Sequence, residues 1–362
     1  MEIVTLNMNI LMISYGDFEY DGRLRELYKA CCLLGNVFLF SRGKVPISSN
    51  HFLINESYTK FIRTCVSIGK RIDSVGLLFL DNRKSVIPGL RLKKRFKSAK
   101  IVLDCRELYL ARYVKHLSGK IGCFVEKRGI KKANVIICAN EERAIFMQDY
   151  YKLASRPLIY ENFRKLEYSS PQKKEKSLER FQQYGVDGEI RIVATSGCDL
   201  SRLTDVLVSN LPKVNYPCKL FLVGDSPKND LIRIEKICSL NNIKNVVHVG
   251  KLCQDDLKAL LSYCHIGIVN YNQFDINNKY CASGKIFEFV YEGLPVVTTT
   301  NPPLVSFCSK YSVGVCDDEF YKGINNVASN YDFYKNNTHS FLKSISVDEN
   351  NSNLACAIKQ RI

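Results

Sequence analysis

The chain has 362 residues, 46% of them hydrophobic and 24% charged, which is enough apolar content for two domains with separate cores and excludes a disordered protein. Its formal charge of +16 asks for an anionic partner: nucleic acid, an anionic membrane face, or a phosphate-bearing substrate. The fifteen cysteines are odd in number, include the adjacent Cys31 and Cys32, and form no Cys-x-x-Cys pair, which argues against a disulfide scaffold, a zinc site or a redox dithiol.

Short apolar runs alternate with amphipathic segments along the whole chain. In the first half, strands are expected at Asn9–Ser14, Val37–Phe40, Val75–Leu80, Lys100–Asp104, Val135–Ala139 and Leu158–Tyr160. Helices are expected over Gly22–Leu34 and Glu141–Lys152. The polar, proline-containing stretch Ser169–Lys176 reads as a linker or the start of a helix beside one. Strands then resume at Arg191–Ser196, Lys219–Val223, Val246–Val249, Ile266–Val269 and Pro295–Thr298, with helices over Asp230–Leu240 and Asp255–Cys264. Continuous apolar strands separated by helices mean parallel sheets covered on both faces. The expected organisation is an N-terminal Rossmann-like domain over 1–168, a linker over 169–190, a second Rossmann-like domain over 191–335, and a tail over 336–362 with a weak helical pattern near Leu354–Ile358.

Cysteines inside apolar runs suit a reduced, cytoplasmic protein. Met1–Ile13 shows neither a basic region before its apolar run nor a cleavage pattern, and no run reaches the ~20 apolar residues of a spanning helix. The charge is concentrated in the first half. Arg91–Lys100 holds six basic residues and no acid, and Lys127–Lys132 follows a stretch in which Tyr, Leu, Ile and Phe are interleaved with Arg112, Lys115 and Lys120. Such faces are either solvated helix surfaces or, taken together with the overall charge, a peripheral contact with an anionic bilayer.

The segment Tyr280–Val297 carries the clearest chemistry. Ser283 and Gly284 open a helix of about ten residues, Gly293 closes it, and Pro295 blocks its continuation. Lys285, Glu288 and Glu292 share one face of that helix. A helix start with small residues and a lysine offers N–H groups and positive charge to a phosphate, and a carboxylate one turn on can accept from a ribose diol. The same residues can also be an ordinary capped helix. The segment resembles the Lys-Leu-Phe-Glu-Tyr-x-x-x-Gly-x-Pro-Val-Val stretch of family 4 glycosyltransferases, the retaining GT-B enzymes.

The order of the second half extends the resemblance. Leu220–Asp225, Val246–Gly250, Asp255–Cys264 and His265–Asn270 look like successive pieces of that family's donor domain. The resemblance implies a GT-B fold, two Rossmann-like domains facing a cleft, and transfer of a sugar from a nucleoside-diphosphate donor with no cofactor and no bound metal. It implies catalytic roles for Lys285 and Glu288, and donor contacts from Gly197, Arg202, Gly224, Gly250, Ser283 and Gly284. Two departures stand out. Tyr280 occupies the place where the family often has a first glutamate, and the diphosphate-binding cations after the first strand are replaced by Gly197–Arg202, with Arg202 as the substitute.

In the first half, Met12–Arg25 resembles the family's opening strand and substrate loop, which implies acceptor contacts from Gly16, Asp17 and Arg23, although Arg23 can equally pair with Glu26. Asp104, Arg106 and Glu107 stand where related enzymes carry Asp-x-His-Glu. Arg106 stays protonated and cannot act as the base that a histidine would be. Asp104 and Glu107 are either acceptor contacts or a helix cap. The resemblance and the charge together suggest a carbohydrate acceptor, lipid-linked, at the inner membrane face, in assembly of a capsule or O-antigen. A catalytically degenerate GT-B scaffold is the alternative. A nucleic-acid-binding protein lacks a recognisable module here, a nicotinamide or flavin enzyme lacks the Gly-x-Gly-x-x-Gly fingerprint, and a nucleotide-sugar epimerase lacks its acid and histidine pattern.

Overall fold

The computed structural model describes residues 8–184 and 188–362. The first seven residues of the expected N-terminal domain, and residues 185–187 of the expected linker, lie outside the described residues. The chain divides into two compact units, one of residues up to Asn162 together with Ser346–Ile362, the other Phe163–Ile345.

The first unit holds a parallel sheet of seven strands: β1 (Asn9–Asp17), β2 (Asn36–Arg42), β3 (His51–Leu53), β4 (Leu77–Asp81), β5 (Lys100–Asp104), β6 (Val135–Cys138) and β7 (Leu158–Ile159). Their order is β3-β2-β1-β4-β5-β6-β7. Ile10, Leu11, Met12 and Ile13 of β1 are all fully buried, which explains the unbroken apolar run: both faces of the strand are covered. Asp21 starts the helix Gly22–Cys32 by accepting from the Leu24 N–H. The helix Val347–Arg361 completes this unit, with Leu354, Ala355 and Ile358 packed in one cluster with Leu24, Leu27 and Cys31. Asn351 is buried against it, accepting from the Tyr160 hydroxyl and donating to Glu26.

The second unit has six parallel strands: β8 (Ile190–Ala194), β9 (Cys218–Val223), β10 (Val246–Gly250), β11 (Ile266–Val269), β12 (Val296–Thr298) and β13 (Gly314–Cys316), in the order β10-β9-β8-β11-β12-β13. Its two faces bury separate clusters. Ile192, Ala194, Leu220 and Leu222 point one way with Phe320 and Ile324, while Val193, Phe221 and Val223 point the other way with Phe289 and Val290. The helix Lys285–Tyr291 lies close on β11 because Gly267 has no side chain: a Cβ there would sit 2.5 Å from the Phe289 ring. The helix Pro171–Gln182, inside the segment expected as linker, is anchored to the helix Gln254–Ser262 through Ser177 and Asp256, 2.7 Å apart.

All eleven expected strands are present. The short edge strands β3 and β13, three residues each, were not expected, because so few residues give no periodicity to read. Cys31, Cys65, Cys105 and most other thiols are buried and unbridged; Cys32 and Cys253 are exposed. No helix among the described residues is long and apolar enough to cross a membrane.

Candidate functional site

In an open parallel sheet, ligands bind beyond the carboxyl ends of the strands where the strand order reverses. That point lies between β1 and β4 in the first unit and between β8 and β11 in the second.

At the first, three buried or half-buried carboxylates surround two arginines. Asp104, at the end of β5, grips Arg23 with both oxygens at 2.7 and 2.9 Å. The remaining Arg23 donors go to the Tyr160 carbonyl at 2.7 Å and to Asn162 Oδ1 at 2.6 Å, so all three nitrogens are used inside the unit. Burial opposes the Arg23 charge, but Asp104 more than offsets it. Arg106 bonds Asp81 at 2.5 Å and also the Asp21 carboxylate, with Asp104 at 3.7 Å. Its Nη2 is buried without a partner among the described residues. Burial first, then the charges of Asp104 and Asp21, push Asp81 up to about 6 against the pull of Arg106 and the Ser14 hydroxyl.

A cavity of about 300 Å³ opens above this cluster, lined by Gly16, Asp21, Asp81, Arg106 and Glu107 among others. Arg83 and Lys84 also line it, each 4.6 Å over the ring of a tyrosine of the same wall, Tyr109 and Tyr15. A Cβ on Gly16 would lie 2.9 Å from the Asp21 carboxylate, so a side chain there would displace the Asp21–Arg106 pair. Of the expected acceptor residues, Gly16, Arg106 and Glu107 therefore share the cavity wall. Arg23 and Asp104 are not part of it, since each satisfies the other. Asp17 is not part of it either: its carboxylate accepts from the Glu19 N–H at 3.0 Å and holds a turn.

In the second unit, Gly197, Gly224 and Gly250 follow or end β8, β9 and β10 with φ of +59°, +131° and +76°. They sit side by side. The Gly197 N–H donates to Val223 and the Gly224 N–H to Gly250, at 2.8 and 2.9 Å. A Cβ on Gly197 would meet the Asp225 carbonyl oxygen at 2.5 Å, so the turn is closed to larger residues. Beyond it, Arg202 ends a short helical turn, with its guanidinium 4.3 Å over the Tyr271 ring and 3.1 Å from Asn278 Oδ1.

Lys285 opens its helix with Gly284 at the cap and no side-chain cap bond. Among the described residues it makes no hydrogen bond or ion pair. Burial, and then the nearby Arg202 charge, push its ammonium down to about 8, while Glu288 and Asp199 act in the opposite sense. The Ser283 hydroxyl beside it is buried and also without a partner. Glu288 is 4% exposed and bonded to Arg164 at 2.9 Å. Burial raises its pKa, partly offset by Arg164 and Lys285. Glu292, on the same helical face, pairs with Lys258. The helix itself is Lys285–Tyr291, shorter than expected, and Tyr280 caps the separate turn Ile276–Lys279.

Sequence reasoning missed Arg164 and a set of asparagines that join the two loops at this edge. Asn270 accepts from Ser196 at 3.1 Å across the switch point and donates to the Arg202 carbonyl at 2.5 Å. Asn272 donates to the Ser201 carbonyl at 2.6 Å, and the fully buried Asn301 donates to the Asn278 carbonyl at 2.8 Å. The crowding of asparagine over 270–278 was the visible signal. Arg164 carried none, since it lies about 120 residues before its partner.

No protein-family model matches the chain, and no curated protein sequence matches it. Solved structures do. Sucrose-phosphate synthase from Thermosynechococcus elongatus is 15% identical with a TM-score of 0.71, the match covering 98% of this chain and 99% of that one. HepE from Anabaena, in complex with UDP and glucose, is 14% identical with a TM-score of 0.70, covering 98% and 100%. WaaG, a glycosyltransferase involved in lipopolysaccharide biosynthesis, is 13% identical with a TM-score of 0.66, covering 96% and 98%. Likeness at this level of identity establishes the fold: the chain has the GT-B architecture of these enzymes.

Proposed function

We propose that the chain is a glycosyltransferase, taking a nucleoside-diphosphate sugar on its second unit and transferring the sugar to a carbohydrate acceptor with retention of configuration. The observation that carries this reading is the pair Lys285 and Arg202: two cations at the carboxyl edge of a Rossmann-like sheet, close enough to perturb one another, with no carboxylate bonded to either among the described residues. Charge held in that state is suited to an anion that arrives. A diphosphate would relieve the Lys285–Arg202 repulsion and, as leaving group, would gain most where negative charge develops. Gly224 and Gly250, half-buried and without side chains, leave backbone accessible there, and Ser283 has a hydroxyl to give. HepE, one of the structural neighbours, binds UDP.

Glu288 is placed to hold the ribose, with Arg164 standing in for the diol until the donor binds. No protein nucleophile is assigned; front-face attack with the donor phosphate assisting deprotonation fits the residues present. The acceptor contacts are Gly16, Arg106 and Glu107, supported from beneath by Arg23, Asp104 and the turn at Asp17. A lipid-linked acceptor at the inner membrane face, in assembly of a surface polysaccharide, agrees with the basic first unit and with the pathway in which WaaG works. The degenerate-scaffold reading draws on one observation, the Arg164–Glu288 ion pair, which occupies the carboxylate proposed here for the ribose.

The test is release of free UDP or GDP from a panel of nucleotide sugars, with membrane extract as acceptor source, for wild type, Lys285→Ala and Glu288→Ala. Release from one donor, lost in both variants, is the expected result. Absence of both release and nucleotide binding across the panel would sink the reading in favour of the scaffold.

A further inference from the structure

We infer that the helix Leu117–Lys132 docks the first unit directly on an anionic lipid bilayer. Leu117, Ile121 and Phe124 are 73%, 54% and 65% exposed. Their spacing of four and three residues sets them in one stripe along the helix. The opposite side of the same helix is buried through Cys123, Glu126, Gly129 and Ile130, so the stripe is turned outward by packing. Lys120, Lys127, Arg128, Lys131 and Lys132 are exposed around and beyond it. Tyr113, 48% exposed, lies just before the helix, with the Arg112 guanidinium 4.9 Å from its ring.

Between residues 108 and 134 the only carboxylate is Glu126, and it is buried. The neighbouring helix Val86–Lys93 packs beside this one and is followed by exposed Lys94, Arg95 and Lys97, which extends the positive surface. Single exposed apolar residues are ordinary, but three large ones in register, framed by cations with no exposed acid, match a helix lying in the plane of a membrane interface. Long basic side chains at its margin can reach lipid phosphates while their stems cover the apolar stripe.

The placement also bears on the proposed acceptor, and in that respect it rests on the glycosyltransferase reading. Arg83 lines the 300 Å³ cavity and packs against this helix, where a Cβ on Gly122 would lie 3.7 Å from it. Docking would bring that cavity wall to the bilayer from which a lipid-linked acceptor is taken.

Cosedimentation with vesicles of phosphatidylcholine, with or without phosphatidylglycerol, tests the docking without acceptor or nucleotide sugar present. The expected result is binding only to the phosphatidylglycerol vesicles, weakened by high salt, and at least ~tenfold weaker for L117S/I121S/F124S with an unchanged melting curve. No binding, equal binding to both vesicle types, or undiminished binding of the triple variant would each overturn it. Nucleotide binding by the same preparations is read separately, so failure of docking and failure of the glycosyltransferase reading are distinguishable.

Discussion

The two units put cations at the same topological place and treat them in opposite ways. In the first, Arg23 and Arg106 are surrounded by Asp21, Asp81 and Asp104, and Arg106 Nη2 is the nitrogen of the two left without a partner among the described residues. In the second, Arg202 leans on a tyrosine ring and an asparagine, and Lys285 has no bonded partner among the described residues. A buried cation with its carboxylates is a finished structure, and removing one partner leaves an uncompensated charge. A half-buried cation without them stores an unfavourable interaction that an anion from outside, or loss of a proton from Lys285, can relieve. Burial alone does not separate a structural charge from a ligand-binding one; the partners do.

The comparison is most severely tested at Arg23. Arg23→Ala should strip Asp104 of its bidentate partner and lower unfolding free energy by about 3–5 kcal/mol, read from urea denaturation. The paired change Arg23→Leu with Asp104→Leu should cost much less than the single one, because no lone charge remains. Equal losses for the two would mean that packing, not pairing, holds this cluster.

Lys285→Met should do the reverse. Turnover of the nucleotide sugar should fall by roughly 10²–10³, about 3–4 kcal/mol of transition-state stabilisation. The free protein should be no less stable, and more stable by up to ~2 kcal/mol near neutral pH. The sign follows from the depressed pKa. The unfolded chain keeps Lys285 protonated to higher pH than the folded one, so wild-type stability rises as pH rises through about 8 toward the unfolded value. Donor affinity should move the other way and weaken above about pH 8 as the ammonium is lost. A flat affinity profile from pH 7 to about 9 would remove Lys285 from the phosphate site.

Glu126 sharpens the contrast, being a buried carboxyl of the first unit without a bonded partner among the described residues and outside the 300 Å³ cavity. Its Oε1 has no partner among the described residues, and burial, with Glu107 adding, pushes it up to about 8 against Arg83 and Arg143. It is therefore largely neutral at pH 7, relieved by a proton in place of a ligand. Its contribution is fullest below the unfolded pKa and is lost as pH rises through about 8. Glu126→Gln should raise stability at pH 8 by about 2 kcal/mol, with the gain vanishing near pH 4, as followed by melting curves across that range.

What could be read in the sequence divides along similar lines. Ile10–Ile13 and Leu220–Val223 announce buried parallel strands because apolar runs have few other uses, and Gly284–Lys285 announces a helix start. Whether a charged residue is spent or free depends on residues far away in the chain. Arg23 looked available beside Glu26, yet its partners are Asp104, Tyr160 and Asn162; Glu288 looked free, yet it holds Arg164. Pairings of that range leave no local pattern, and so the partners of these charged residues were not legible in the sequence.

The smallest expected effect is also the one that decides how Glu288 works. Arg164 is more than half exposed, so its bond to Glu288 is open to exchange with solvent or ligand. If the ribose diol takes the place of Arg164, the ion pair competes with the donor. Arg164→Ala should then tighten nucleotide binding by about two- to fivefold, roughly 0.4–1 kcal/mol, the worth of a partly exposed pair. Burial of an unpaired Glu288 should at the same time lower the stability of the free protein slightly, and the nucleotide should restore it. Weaker nucleotide binding in Arg164→Ala would reverse the argument. It would make Arg164 a third cation, beside Lys285 and Arg202, in the donor site proposed for the second unit.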